Sequence, residues 1–398
     1  VIGKTDSLAQ QLDIDAVIAG DKRLTSAQAL RLYEQASLHD LGRWATAVAD
    51  RKMTDRYSDS GPDASRLRTY VIDRNINYTN VCSANCTFCA FKRDLKEEDA
   101  YVLSTEQLHQ KITELSEIGG TQVLLQGGMH PELGLEYYEE MLRGIKAQFP
   151  HIHIHGFSPP EFVEFVAIFD LDGFPVADPG HGDQIRWGSW CAKLEAIMRR
   201  LMAAGLDSIP GGGGEIFAPL VRKRIGLGKA DADQWLEVMA CGHKLGMSTS
   251  ATMMFGHIEG VADRIDHMNR VREAQDRAIE QGWPGRYVSF ISWPFQRENT
   301  PMGRLPNWDI EEDGAFAGDL VALGENPDEH LLFAKRVRMS GATDYLRTQA
   351  ISRLFLDNVH SIGSSWVTMG PHIGQLALFY GATDMGSVMM EENVVSAA

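Results

Sequence analysis

The sequence predicts an α/β fold, a TIM-type parallel (β/α)8 barrel carrying an N-terminal helical extension. Three observations lead there. Eight strand-like runs alternate with helical stretches, 398 residues suit one barrel with additions, and every chemically unusual motif follows a strand.

Taken in order, residues 1–60 form the extension. Leu30, Tyr33, Leu38, Leu41, Trp44 and Val48 recur at helical spacing, so 25–50 reads as helix, with Thr25 and Gln28 as a capping box. "RYSDSGPDAS" (56–65) is polar, bears Gly and Pro, and reads as a linker into the barrel, 61–398. The strand-like runs are "TYVIDRNINY", "TQVLLQ", "HIHIHGF", "DSIP", "STSATMMF", "YVSFISW", "SSWVTMG" and "MGSVMME". Helices are expected at Ser104–Ile118, Leu135–Phe149, Cys191–Ala204, Asp231–Leu245 and Val261–Gln281. A long helical stretch, Asp328–Val359, and a short helix, Ile373–Phe379, follow. The Gly/Pro-bearing stretch 167–190 reads as an insertion between the third and fourth strands.

With 44% hydrophobic and 23% charged residues, the composition is that of a soluble globular protein. A net charge of −16 argues against nucleic acid or an anionic membrane as the main partner. No run approaches the ~18 apolar residues of a membrane span, and "VIGKTDSLAQ" is not a signal peptide. Five cysteines without framework spacing fit a reducing compartment, so the expected location is cytoplasmic.

In "VCSANCTFCAFKR", Cys82, Cys86 and Cys89 stand at C-x3-C-x2-C after the first strand. Three thiolates can hold three irons of a [4Fe–4S] cluster and leave the fourth open to a chelating cofactor, as the amino and carboxylate groups of S-adenosyl-L-methionine would chelate it. The competing reading is a zinc site completed by His130 or His257. "PGGGGEIF" lacks the Gly-Lys-Ser/Thr of a P-loop. Its Glu215 is placed either to accept from ribose hydroxyls or simply to favour a helix start. "HIHIH" sets His151, His153 and His155 on one strand face, so a mononuclear metal site competes with ordinary strand histidines. His155 lies nearest the active rim, and His257 sits just past the fifth strand, where a proton acceptor would be useful. Cys191 and Cys241 have no partners at ligand spacing and read as helix-packing residues.

The cysteine loop resembles that of the radical S-adenosylmethionine superfamily. The resemblance extends through "VIDRNINYTNVCSANCTFCAF", "HIHGFSPPE", "AGLDSIPGGGGEIF", "TSATMMFGHIE", "SWPFQRENTPMGR" and "GATDMGSVMMEENVVSAA" to a branch serving the futalosine and deazaflavin pathways. It implies that Phe88 contacts the adenine and that Gln126, Gly127 and Gly128 of "QGGMHP" hold the methionine ammonium, although Met129 replaces the usual acid. "SPPE" and "WPFQ" resemble the branch member that cyclises dehypoxanthine futalosine in menaquinone biosynthesis. The implied reaction removes the C4′ hydrogen with a 5′-deoxyadenosyl radical and joins C4′ to the benzoate ring. His257 is then the first candidate for the base, with Glu161 and His155 in reserve, and Ser158, Gln296 and Arg297 are substrate-binding candidates. Reduced flavodoxin or ferredoxin is the implied electron donor. The alternatives are an aminofutalosine synthase-type enzyme and a non-catalytic iron–sulfur or zinc module.

Overall fold

A computed structural model describes residues 8–174, 184–393 and 397. Its strands are β1 (Thr69–Val71), β2 (Asp73–Ile76), β3 (Asn85–Cys86), β4 (Gln122–Leu125), β5 (His153–Gly156), β6 (Ser208–Ile209), β7 (Gly226–Leu227), β8 (Ser248–Phe255), β9 (Tyr287–Pro294), β10 (Ser361–Gly363) and β11 (Asp384–Ser387). Nine of them form one sheet in the order β1-β11-β10-β9-β8-β6-β5-β4-β2. Its pairings are parallel. β1 and β2 are halves of one run interrupted at Ile72, and they pair with opposite ends of the sheet. The ring therefore nearly closes, giving an α/β barrel. β3 and β7 make a separate antiparallel pair on the rim.

Side chains alternate across each stave. Along the first, Asp73, Asn75 and Asn77 point into the barrel, while Arg74 faces outward to Glu114 and Glu391 at 2.6 Å each. Register sets Asn75 beside Leu124, Leu124 beside His155, and His155 beside Ser208 in one layer.

In the extension, the expected 25–50 helix is two helices, Ser26–Gln35 and Leu38–Arg56. Thr25 and Gln28 do form the capping box, and Ser37 caps the second helix by accepting from Asp40 N at 3.1 Å. Apolar periodicity continued across the break, but the Ser37 cap ends it. The second helix packs on Ala342–Phe355.

Three further expectations change. The stretch Asp328–Val359 is not one helix: Pro327–Glu329 is a 3-10 turn and the α-helix is Ala342–Phe355. Between them, the amides of Val337 and Arg338 donate to Pro306 O and His257 O, which ties that segment to the rim instead of to itself. "SSWVTMG" is not the seventh stave; β10 lies just before it, and Trp366–Met369 makes one helical turn with Trp366 Nε1 bonded to Ser387 O at 3.0 Å. The helix expected from Cys191 begins at Gln184. Of the insertion read at 167–190, residues 175–183 lie outside the described residues.

Candidate active site

The cysteine loop is fixed before any ligand is considered. Cys82 N donates to Arg93 O and Arg93 N to Asn80 O, closing its base at 3.1 and 2.8 Å. Its middle is paired as β3 to β7, and Thr87 N donates to Ile225 O at 2.8 Å. Cys82, Cys86 and Cys89 are free, half-buried, and line one cavity of about 500 Å³ at the barrel mouth. Burial pushes the Cys86 thiol up to about 11.

The glycine turn after β4 meets this loop edge to edge. A Cβ on Gly128 would lie 2.0 Å from Val81 O and 2.9 Å from Cys82 Cβ, so only glycine fits. Ser83 N donates to Met129 O at 2.9 Å. Glu161, 1% exposed, braces the turn from behind. One carboxylate oxygen accepts from Tyr78 OH (2.7 Å) and Gly127 N (3.1 Å), and the other from Ser158 N and Oγ, both at 2.7 Å. Burial raises its pKa, while these hydrogen bonds pull the other way.

Beyond β6, the four-glycine loop lies against β8: a Cβ on Gly214 would sit 2.4 Å from Thr252 O. It ends in Glu215, which turns in the left-handed region at φ 34° and lines the cavity. Lys229 Nζ meets Glu215 Oε1 at 2.9 Å and lies 5.1 Å from the centre of the Phe88 ring. Burial alone would lower the Lys229 pKa; the Glu215 carboxylate more than offsets this and raises it. Glu215 is thus a cavity wall held by a half-buried lysine, not a helix cap.

The loop and the turn fit a [4Fe–4S] cluster with S-adenosylmethionine: three free thiols face one space, and a side-chain-free turn borders them. Among the described residues, no three His, Cys, Asp or Glu side chains converge as around a single metal ion. A lone zinc needs sulfurs all about 2.3 Å from one centre, whereas cluster thiolates each take a different iron. His130 is otherwise engaged, its Nδ1 accepting from Glu132 N at 3.2 Å.

Phe88, Gln126, Gly127, Gly128, Glu215, Ser158, Glu161, His155 and Gln296 all reach the cavity. Two expected site residues do not. His257 is 0% exposed and turns away from the cavity. Its Nδ1 lies 3.0 Å from Glu259 and its Nε2 3.2 Å from Met254 O. The left-handed Gly256 (φ 84°) swings the chain off the stave, and Glu259, itself paired to Arg264 at 2.8 Å, captures the ring. Arg297 is a loop staple, bonded to Gly303 O, Leu305 O and Asn307 Oδ1. Contrary to the sequence expectation, His257 is not placed to act as the base and Arg297 is not placed to bind substrate. Glu161 is also unsuited to accept a proton, since each oxygen already receives two hydrogen bonds. His155 shares Ser208 Oγ with His153, at 2.6 Å to each ring. Burial, then His153, lowers its pKa to about 3, so it is neutral.

The sequence reading missed Lys229, which no motif announces. It also missed Asp73, Asn75 and Ser250, which period-two alternation on the staves could have revealed.

A barrel whose first loop presents three thiols to a shared cavity defines an iron–sulfur radical enzyme. The Radical SAM superfamily model matches residues 76–271, and the CofH/MqnC C-terminal region matches 327–398. Over 97% of this chain and 87% of the other, the sequence is 36% identical to a cyclic dehypoxanthine futalosine synthase of Halalkalibacterium halodurans. It is 38% identical, over 82% of this chain and 74% of the other, to a 5-amino-6-(D-ribitylamino)uracil–L-tyrosine 4-hydroxyphenyl transferase of Methanopyrus kandleri. The crystal structure of methylornithine synthase shares the fold at a TM-score of 0.62 and 15% identity, covering 96% of this chain and 88% of that one. The chain belongs to the radical S-adenosylmethionine superfamily, in the group carrying the CofH/MqnC C-terminal region, and is an enzyme using a [4Fe–4S] cluster and S-adenosylmethionine. That C-terminal region is no appendage: it supplies β10 and β11, and with them Ser364, Trp366 and Ser387 of the cavity wall. Among the described residues, no helix is long and apolar enough to cross a membrane.

Proposed function

We propose that this enzyme cyclises dehypoxanthine futalosine, joining C4′ to the benzoate ring, in menaquinone biosynthesis in the cytoplasm. The observation that carries this is near-full-length similarity to a cyclic dehypoxanthine futalosine synthase. It is supported by the position of "SPPE" and "WPFQ", which place Ser158, Glu161, Trp293 and Gln296 around the cavity. Bound together, the cluster and S-adenosylmethionine supply a 5′-deoxyadenosyl radical. Cys82, Cys86 and Cys89 hold the cluster, Phe88 and the Gln126–Gly128 turn hold the adenine and ammonium ends, and Glu215 receives the ribose hydroxyls. Trp293, Phe295 and Trp366 exclude water around the substrate, which favours a single productive approach. Gln296 donates to Pro294 O at 3.0 Å, leaving its carbonyl oxygen for the substrate, while Ser158 Oγ donates to Glu161 and retains its lone pairs. Reduced flavodoxin or ferredoxin is the proposed donor.

The test is deuterium at C4′ of dehypoxanthine futalosine. Deuterium should appear in 5′-deoxyadenosine alongside cyclised product; full cyclisation with unlabelled 5′-deoxyadenosine would refute C4′ abstraction. The similarity to the hydroxyphenyl transferase favours a second reading. Turnover of 5-amino-6-(D-ribitylamino)uracil with tyrosine, and none of dehypoxanthine futalosine, would establish it.

A further inference from the structure

The polar side chains that climb the first stave toward the cysteines are not equivalent. Asn77 Nδ2 donates to Gln126 O, and its Oδ1 accepts from Asn393, each at 3.2 Å. Asn80 is engaged at both ends, with Asp99 O and Tyr101 N, each at 2.9 Å. Asp73 accepts from Ser387 Oγ and, at 3.5 Å, from Gln122. Asn75, only 6% exposed, has no hydrogen-bond partner for its Oδ1, although its side chain borders the cavity. Buried polar groups almost always find partners, so an unmet amide on a cavity wall marks a place for a ligand to supply one.

Two staves further along the same layer stands the complement. Asn75 pairs with Leu124 and Leu124 with His155, so Asn75 and His155 stand two staves apart, about 10 Å between backbones. Both point inward. His155 Nδ1 is used by Ser208 Oγ at 2.6 Å, which leaves Nε2 on the cavity side. Charge decides what fits. The cationic side chains lining the cavity, among the described residues, are Lys92 and Lys229. Both belong to the cysteine end, and both are committed, to Asp94 at 2.8 Å and Glu215 at 2.9 Å. The layer itself holds neutral groups above the Asp73 carboxyl. It therefore suits hydroxyl groups, which both donate and accept, and not a carboxylate or phosphate.

We propose that Asn75 and His155 form a hydroxyl-binding layer inside the barrel that receives the pentose of the substrate. This rests on the substrate reading above, but the chemistry is that of any polyol, and a ribityl chain would present the same groups.

The experiment uses the reconstituted enzyme with S-adenosylmethionine under anaerobic conditions. Binding is followed by the fluorescence of the cavity residues Trp293 and Trp366. The probes are dehypoxanthine futalosine and 5-amino-6-(D-ribitylamino)uracil, tested on wild type, Asn75→Leu and His155→Gln. Asn75→Leu should bind dehypoxanthine futalosine about tenfold or more weakly, the loss expected for one hydrogen bond left unmade in a dry site. Its melting temperature should stay level or rise, because an unpaired buried amide has been removed. A merely structural asparagine would do the reverse, so a lowered melting temperature with loss of binding overturns the proposal. Unchanged affinity in both variants also overturns it. Binding of the ribitylamino compound alone, sensitive to Asn75, would sustain the hydroxyl layer and reject the substrate reading. Binding of neither compound by wild type rejects both.

Discussion

Replacing Glu161 with glutamine separates a brace from a base. Each carboxylate oxygen accepts two hydrogen bonds, from Tyr78 and Gly127 on one side and from Ser158 N and Oγ on the other. Glutamine presents one oxygen and one NH2, so either rotamer leaves two donors without an acceptor. At about 1–3 kcal/mol for each buried donor left unsatisfied, the gross cost is about 2–6 kcal/mol. Burial raises the carboxyl pKa, so removing its charge returns part of this, and a net loss of about 2–4 kcal/mol is expected. An unfolding entropy of about 2.1 cal/mol/K per residue gives roughly 0.8 kcal/mol/K for this chain, hence a fall in Tm of roughly 2–5 °C. Calorimetry of the cluster-free protein reads this value. In the reconstituted enzyme the released Gly127 turn should weaken S-adenosylmethionine binding about tenfold, lowering 5′-deoxyadenosine and cyclised product together. If Tm and cofactor affinity stay unchanged while cyclisation alone disappears, the bracing argument is wrong and Glu161 is the proton acceptor.

Changing Cys82, Cys86 or Cys89 to alanine should abolish cluster iron and cofactor cleavage, while Cys191→Ala and Cys241→Ala keep both; iron loss from the Cys241 variant would break the ligand assignment. His257→Gln should leave the ratio of cyclised product to 5′-deoxyadenosine at the wild-type value, since the ring lies outside the cavity, and a selective drop in cyclised product would restore it as a base. Asp263, half-buried near Glu259, has its pKa raised to about 7 from 3.8, chiefly by loss of solvent around the carboxyl. The folded state therefore binds the extra proton between those values, and stability falls as pH climbs through that window. Asp263→Asn should stabilise the protein by about 1–3 kcal/mol at pH 8 and hardly at all at pH 4, as urea denaturation at each pH would record; an equal effect at both refutes it.

What the sequence disclosed follows the reach of each signal. The thiol spacing and the strand-end position of the motifs were legible because backbone topology alone carries loops after parallel strands to one rim. Side chains on a stave are equally constrained, and Asp73, Asn75 and Asn77 could have been read from their alternation. Once the chain leaves a strand, periodicity stops informing direction. His257 is two residues past β8, yet Gly256 and Glu259 turn it into the wall, and Arg297 folds back on its own loop. Lys229 meets Glu215 only because a short helix and the β7 pairing return the chain to the rim. The false helix across Asp328–Val359 has a related origin, since tertiary partners at Pro306 and His257 claim amides that helical propensity would have used.

The pairing of β3 with β7 bears on how the enzyme is made. The strand that contains Cys86 takes its partner from chain synthesised much later, with Thr87 and Ile225 separated by 138 positions. While the polypeptide leaves the ribosome, the three thiols are present long before the segment that fixes their spacing. The thiols therefore take up their final spacing only once the chain has passed Leu227. From then on the thiols are held apart and half open to solvent, so a carrier can deliver a complete cluster with little rearrangement of the recipient.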